Sequence, residues 1–133
     1  MIFIDTGPFL ARHLLNDQYH QDALVTWEKL KREGEKCFTS NFVLDETFSL
    51  LGRRANYAFA VQRAKIIYSS QTLTIMRPGM EDEMNALQFF GKYAAQQVSF
   101  TDCISMVLMK SKDINRVFSY DRHFELAGFQ VVR

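Results

Sequence analysis

Cysteine, proline and long apolar runs are all scarce in this chain of 133 residues, and each scarcity excludes a class of protein. The two cysteines, Cys37 and Cys103, form neither a C-x-x-C pair nor any other metal-like spacing. No disulfide scaffold or cysteine-ligated metal is therefore expected, and isolated thiols suit a reducing compartment. Two prolines and six glycines leave no linker-like stretch, and no internal repeat or low-complexity segment is visible. One domain spanning residues 1–133 is expected. No apolar run nears the ~20 residues that cross a bilayer. Met1 is followed at once by Ile2-Phe3-Ile4-Asp5 with no basic leader, so no signal peptide is expected and the chain reads as cytoplasmic. Neither charge sign is in excess: sixteen Lys and Arg against fifteen Asp and Glu give +1. Contact with nucleic acid would have to come from a local basic patch.

What is present is an ordinary globular composition, 47% hydrophobic and 23% charged. A chain of this length buries roughly two-thirds of its unfolded surface and needs no staple. Ile2-Phe3-Ile4 is a short apolar run closed by Asp5-Thr6-Gly7-Pro8, which predicts a buried strand turning into a helix. Helical spacing runs through Phe9, Leu10 and Leu14 and resumes from about Tyr19 to Arg32, where Gly34 ends it. Lys36 to Thr39 is a weak strand. Helices are predicted over about 41–54 and 57–68, a strand over 72–76, and a helix from Gly79 to about Gln96 whose opening acids suit the helix dipole. A further helix runs from Ser99 to about Lys112, followed by a strand at 116–120, a short helix at 122–127 and a last strand at 130–132. Alternating strands and helices predict an α/β fold of three layers, with a parallel sheet covered on both faces.

Ligands of such sheets bind at the carboxyl ends of the strands. Asp5 follows the first strand and Asp121 follows the strand at 116–120. Asp102 opens a late helix, and Glu46 lies in the first turns of the helix after the second strand. Gathering these carboxylates costs free energy unless a cation compensates, and Mg²⁺ or Mn²⁺ suits hard oxygen ligands. Each has a plainer reading. Asp5 and Asp102 could cap helices, and Asp121 could be a turn residue. Glu46, on a mainly apolar helix face, is harder to explain that way.

At these residues the chain resembles the PIN-domain nucleases, and particularly the VapC-like toxins of toxin–antitoxin pairs. The resemblance runs from Ile2-Phe3-Ile4-Asp5-Thr6 to Gly128-Phe129-Gln130-Val131-Val132. Its most specific piece is Ser119-Tyr120-Asp121-Arg122-His123-Phe124, and Ser99-Phe100-Thr101-Asp102 and Glu46 match two further motifs. Gly7 stands where a hydroxyl residue is usual, and Ser119 where Thr is. The resemblance implies a PIN-like α/β/α domain with strand order 3-2-1-4-5. It also implies a Mg²⁺- or Mn²⁺-dependent endoribonuclease with Asp5, Glu46, Asp102 and Asp121 as catalytic and metal-binding residues. On that reading Asp5 and Asp102 hold the first ion, with Asp121 and Glu46 supporting it or a second. Thr6, Thr101 and Ser119 are expected to orient the carboxylates.

Arg53, Arg54, Arg12 and Arg122 are the candidate RNA phosphate contacts, with solvated helix ends as the alternative. His13 and His123 read as surface groups, and Tyr57, Phe59 and Trp27 as core or as base-stacking rings. The Asp-Thr-Gly at 5–7 also matches an aspartic-protease motif, but helical periodicity over most of the chain opposes that all-β fold. A receiver domain would want paired acids near the first strand. The remaining alternatives are an RNA-processing nuclease without an antitoxin, and a non-catalytic PIN-like binding module. Twelve Phe, six Met and five Tyr suggest an exposed apolar patch on the helices at about 9–32 and 41–68, involving Phe9, Leu14, Trp27, Phe42, Phe48, Leu51, Tyr57 and Phe59. That patch, with the resemblance, leads to the expectation of a homodimer or higher oligomer and of a protein antitoxin.

Overall fold

A computed structural model describes residues 1–133. The elements in order are β1 (Ile2–Ile4), α1 (Thr6–His13), α2 (His20–Arg32), β2 (Cys37–Ser40), α3 (Asn41–Arg54), α4 (Tyr57–Tyr68), β3 (Leu73–Met76), α5 (Met80–Lys92), α6 (Phe100–Ser111), β4 (Arg116–Phe118), α7 (His123–Leu126) and β5 (Gln130–Val132), with a 3₁₀ turn at Ala94–Gln96. The strands form one parallel sheet in the order β3-β2-β1-β4-β5, as the resemblance implied. Phe3 pairs with Phe38 on one side and Val117 on the other, which makes β1 the central strand. Ile2, Phe3 and Ile4 are fully buried, the result expected of a strand covered on both faces.

The chain leaves β1 toward β2 and leaves β4 toward β5, so the direction of winding reverses between β1 and β4. This switch point is where an open α/β sheet presents a crevice. The Asp5 amide donates to the Phe118 carbonyl at 3.0 Å, locking the ends of those two strands together. α1 packs on α2 and α3, and α3 on α4, while α5 and α7 both pack on α6. Every residue of α6 from Asp102 to Met109 is buried, so this helix is core all round.

Two boundaries differ from the sequence reading. The helix expected to reach Gln96 ends at Lys92, because Gln97 takes a left-handed backbone (φ 56°) and the preceding turn tightens. The strand expected at 116–120 stops at Phe118, and Ser119 turns its side chain to the sheet edge. The expected apolar patch is also corrected. Phe9, Leu14 and Leu51 are buried core, and Trp27, Phe42, Phe48 and Phe59 are partly buried against it. Of that set Tyr57 alone is well exposed. Other exposed apolar residues within the expected helices are Leu24 and Val25 on α2 and Val61, Ile66 and Tyr68 on α4. A further stripe lies on α5, where Met80, Met84, Leu87 and Phe90 recur at helical spacing.

Candidate active site

Asp5 sits at the N-cap position of α1, yet its carboxylate makes no capping bond. One oxygen instead accepts a hydrogen bond from the Ser119 hydroxyl at 2.7 Å. The same Ser119 Oγ accepts from the Asp121 amide at 2.9 Å, so one buried serine ties Asp5 to the loop after β4. Ser99 caps α6 by accepting from the Asp102 amide at 3.1 Å, which leaves the Asp102 carboxyl free of that task. Asp121 is partly a turn residue: its Oδ1 accepts from the His123 amide at 2.9 Å.

Asp5, Glu46, Asp102 and Asp121 all line one cleft of about 600 Å³ at the switch point. Burial pushes the Asp5 carboxyl up to about 6, with Glu46 and Asp121 adding to the rise against the hydrogen bonds from Ser119 and the Thr6 amide. Asp102 is pushed up to about 9 by burial and then by Asp5, Asp121 and Glu46. Glu46 is also raised, chiefly by desolvation, while the Thr6 hydroxyl beside it opposes the rise. Glu46 is an exposed residue of α3 that lines the cleft together with Leu50, one turn further along the helix. Without a cation Asp5 and Asp102 hold protons well above the usual carboxyl range, as expected of acids gathered to share one.

The donor set fits a divalent ion. Ligand atoms of Asp102, Asp121 and His123 lie within 4.8 Å of one another. His123 Nδ1 is 3.1 Å from Asp121 Oδ1 and 3.8 Å from Asp102 Oδ2. The sequence reading left His123 on the surface. The available signal was its position two residues after Asp121, where an Asx turn folds the imidazole back onto the acids. Asp5 and Glu46 line the same cleft outside that tight group.

The other expected residues divide. Thr6 lines the cleft and Ser119 holds Asp5, but Thr101 is not part of the cleft wall; Ser99, three residues before Asp102, is. Arg54 and Arg122 reach the cleft, Arg54 beside Asp17 at 4.0 Å and Arg122 paired with Glu125 at 3.2 Å. Arg53 is exposed away from it. Arg12 lies over the Trp27 ring, 4.7 Å from its centroid, in a separate cavity of about 840 Å³ between α2 and α4. Gly7, where the sequence lacks a hydroxyl, is fitted to Tyr120. A Cβ at position 7 would sit 3.0 Å from Tyr120 Cδ2.

The sequence pattern of the PIN domain family matches residues 2–130. The chain belongs to the PIN-domain family. This PIN domain is 32% identical over 133 residues to the 23S rRNA-specific endonuclease VapC20 of Mycobacterium tuberculosis, covering all of this chain and 98% of the relative. It is 30% identical over 125 residues to a VapC ribonuclease of Archaeoglobus fulgidus, covering 92% of this chain and 78% of that one. The crystal structure of Mycobacterium tuberculosis VapC20, described as a sarcin-ricin loop cleaving toxin, superposes with a TM-score of 0.87 at 30% identity over 100% of this chain and 99% of that one. VapBC2 from Rickettsia felis, at TM-score 0.73 and 11% identity, shares the fold over 99% of this chain and 98% of that chain.

Proposed function

We propose that this single PIN domain is a divalent-metal-dependent endoribonuclease, the toxin of a type II toxin–antitoxin pair, and that Asp5, Glu46, Asp102 and Asp121 form its catalytic centre. The observation that carries the reading is the convergence of these carboxyls, from separate segments, in one cleft, where burial raises the proton affinity of Asp5, Glu46 and Asp102. Asp102 and Asp121, with Asp5 and Glu46 near, would hold Mg²⁺ or Mn²⁺. Such an ion supplies a polarised phosphate and a water made acidic enough to attack it. Ser119 fixes the Asp5 carboxylate, and Thr6 stands against Glu46. Arg54 and Arg122, the cationic side chains of the cleft, would take backbone phosphates.

The full-length relatedness to a 23S rRNA-specific endonuclease, described as cleaving the sarcin-ricin loop, makes that RNA and its sarcin-ricin loop the first substrate to try. No helix is long and apolar enough to cross a membrane, and the chain would act in the cytoplasm, where ribosomes are. A protein antitoxin would neutralise it, and the apolar stripe of α5 would join two copies in a homodimer. The test incubates purified protein with intact ribosomes and with deproteinised rRNA, each with Mg²⁺, Mn²⁺ or EDTA. Discrete metal-dependent scission is expected, and intact RNA under all conditions would refute the proposal.

A further inference from the structure

The loop from Leu14 to Tyr19 forms one wall of the acidic cleft, and it is held firmly. The Asp17 amide donates to the Leu14 carbonyl at 3.1 Å, and the Tyr19 amide to Asp17 Oδ1 at 2.9 Å. His20 Nδ1 lies 2.6 Å from the Ala11 carbonyl, anchoring the start of α2 to α1. This wall presents Gln18 and Tyr19 to the cleft.

Tyr19 lies flat on Tyr120, ring centroids 4.1 Å apart and planes 13° apart. Tyr120 is fixed from other directions. Its Cδ2 edge abuts Gly7, and Phe118 meets it at 77°. Tyr120 directly precedes Asp121, so the stacked pair stands beside the carboxyls. Tyr19 is half-buried and lines the cleft, so one side of its ring is spent on Tyr120 while the residue still meets solvent in the cleft. A cleft rich in carboxyls repels a polyanion, and Arg54 and Arg122 are the arginines that line it. A neutral aromatic face adds affinity there without charge, because every base has a π-face.

We propose that Tyr19, supported by Tyr120, is a stacking platform for one unpaired RNA base next to the scissile phosphate, with the Gln18 amide beside it to meet the base edge. Sequence-specific RNA recognition works largely through such splayed, stacked bases. The proposal rests on the ribonuclease reading and deepens it. It also replaces Tyr57, Phe59 and Trp27 as the stacking candidates, since none of these lines the acidic cleft.

The experiment measures fluorescence anisotropy of a labelled oligoadenylate and of an abasic ribose-phosphate oligomer of equal length. Both are bound to the Asp102→Asn chain so that no cleavage intervenes. Adding Tyr19→Leu should weaken oligoadenylate binding by about 5- to 150-fold, the range of one lost base stack. It should leave the abasic oligomer unchanged, and Tyr19→Phe should keep the preference for bases. Equal weakening of both oligomers would reduce Tyr19 to a pin for the loop, and an effect on neither would remove it from the site; each overturns the proposal. Should Tyr19→Leu fail to fold, Tyr19→Trp decides. Its added indole emission should be quenched by oligoadenylate and not by the abasic oligomer, and equal emission would overturn the idea. Wild-type protein that cleaves RNA yet binds both oligomers equally defeats the platform and leaves the ribonuclease reading standing. Absence of cleavage defeats that reading, while the oligomer comparison still judges the platform.

Discussion

The raised carboxyls make the metal-free protein less stable as pH rises, and the size of the effect follows from the site. Asp102 titrates near 3.8 in an unfolded chain and is pushed up to about 9 in the fold. Between those values the unfolded state binds fewer protons than the folded one, so stability falls with pH at up to about 1.4 kcal/mol per unit. Asp5 adds a fall only between 3.8 and about 6. In nearly the same window His13 works the other way, because burial lowers it from 6.5 to about 4 and its stabilising contribution is lost as pH falls. These two offset each other. Cys103, pushed up from 9.0 to about 11 by burial, adds a fall only at higher pH. From 6.5 to about 9 Asp102 therefore dominates. Over that span it costs at most about 3 kcal/mol, and relaxation around the carboxylate trims this. For a domain of this size the loss corresponds to roughly 5–12 °C in Tm.

The assay is thermal melting in EDTA across that pH range, with and without Asp102→Asn. Wild type should lose stability steadily, and the variant should be nearly flat. Adding Mn²⁺ should stabilise wild type more at high pH, because binding must expel the proton that Asp102 holds. A flat wild-type profile, or an identical slope in the variant, would refute the electrostatic account.

Three other outcomes are expected. Arg54→Ala should reduce the slope of log affinity for RNA against log salt by about one unit, and Arg53→Ala should leave it unchanged; binding measured at a series of salt concentrations separates them. Gly7→Ala should destabilise by roughly 1 kcal/mol in denaturant melts, because crowding the Tyr120 ring outweighs the gain in helix propensity. Light scattering should report a dimer, and Met84→Lys with Leu87→Lys on α5 should give a monomer.

The alternation of strands and helices and the placing of the acids are legible in apolar periodicity and in motifs adjacent in the chain, whereas the strand order comes only from the family resemblance. Asp5 and Asp121 each lie just beyond a strand, so the strand assignments place them at the sheet edge. Loop-built features were not legible. Tyr19 meets Tyr120 across a separation in sequence that no spacing rule encodes. His123 becomes a neighbour of Asp102 only through the Asx turn at Asp121. Apolar burial was misjudged where helices pack on helices. Leu14 and Leu51, expected on the surface, meet in a small cluster of α1, α3 and α4, and Phe9 joins the main core beside Trp27. α5 carries an exposed stripe too, and the helical spacing of Met80, Met84, Leu87 and Phe90 suits a core face equally well when read as sequence.

The most direct measurement pairs Mn²⁺ binding by calorimetry with cleavage of ribosomal RNA, on wild type and on Asp102→Asn protein shown by circular dichroism to keep the fold. Wild type should bind Mn²⁺, release protons as it does so, and cut the RNA in a reaction that EDTA abolishes. The Asp102→Asn chain should do none of these. Undiminished Mn²⁺ binding and cleavage in that variant would contradict the assignment of the acidic cleft as the catalytic centre.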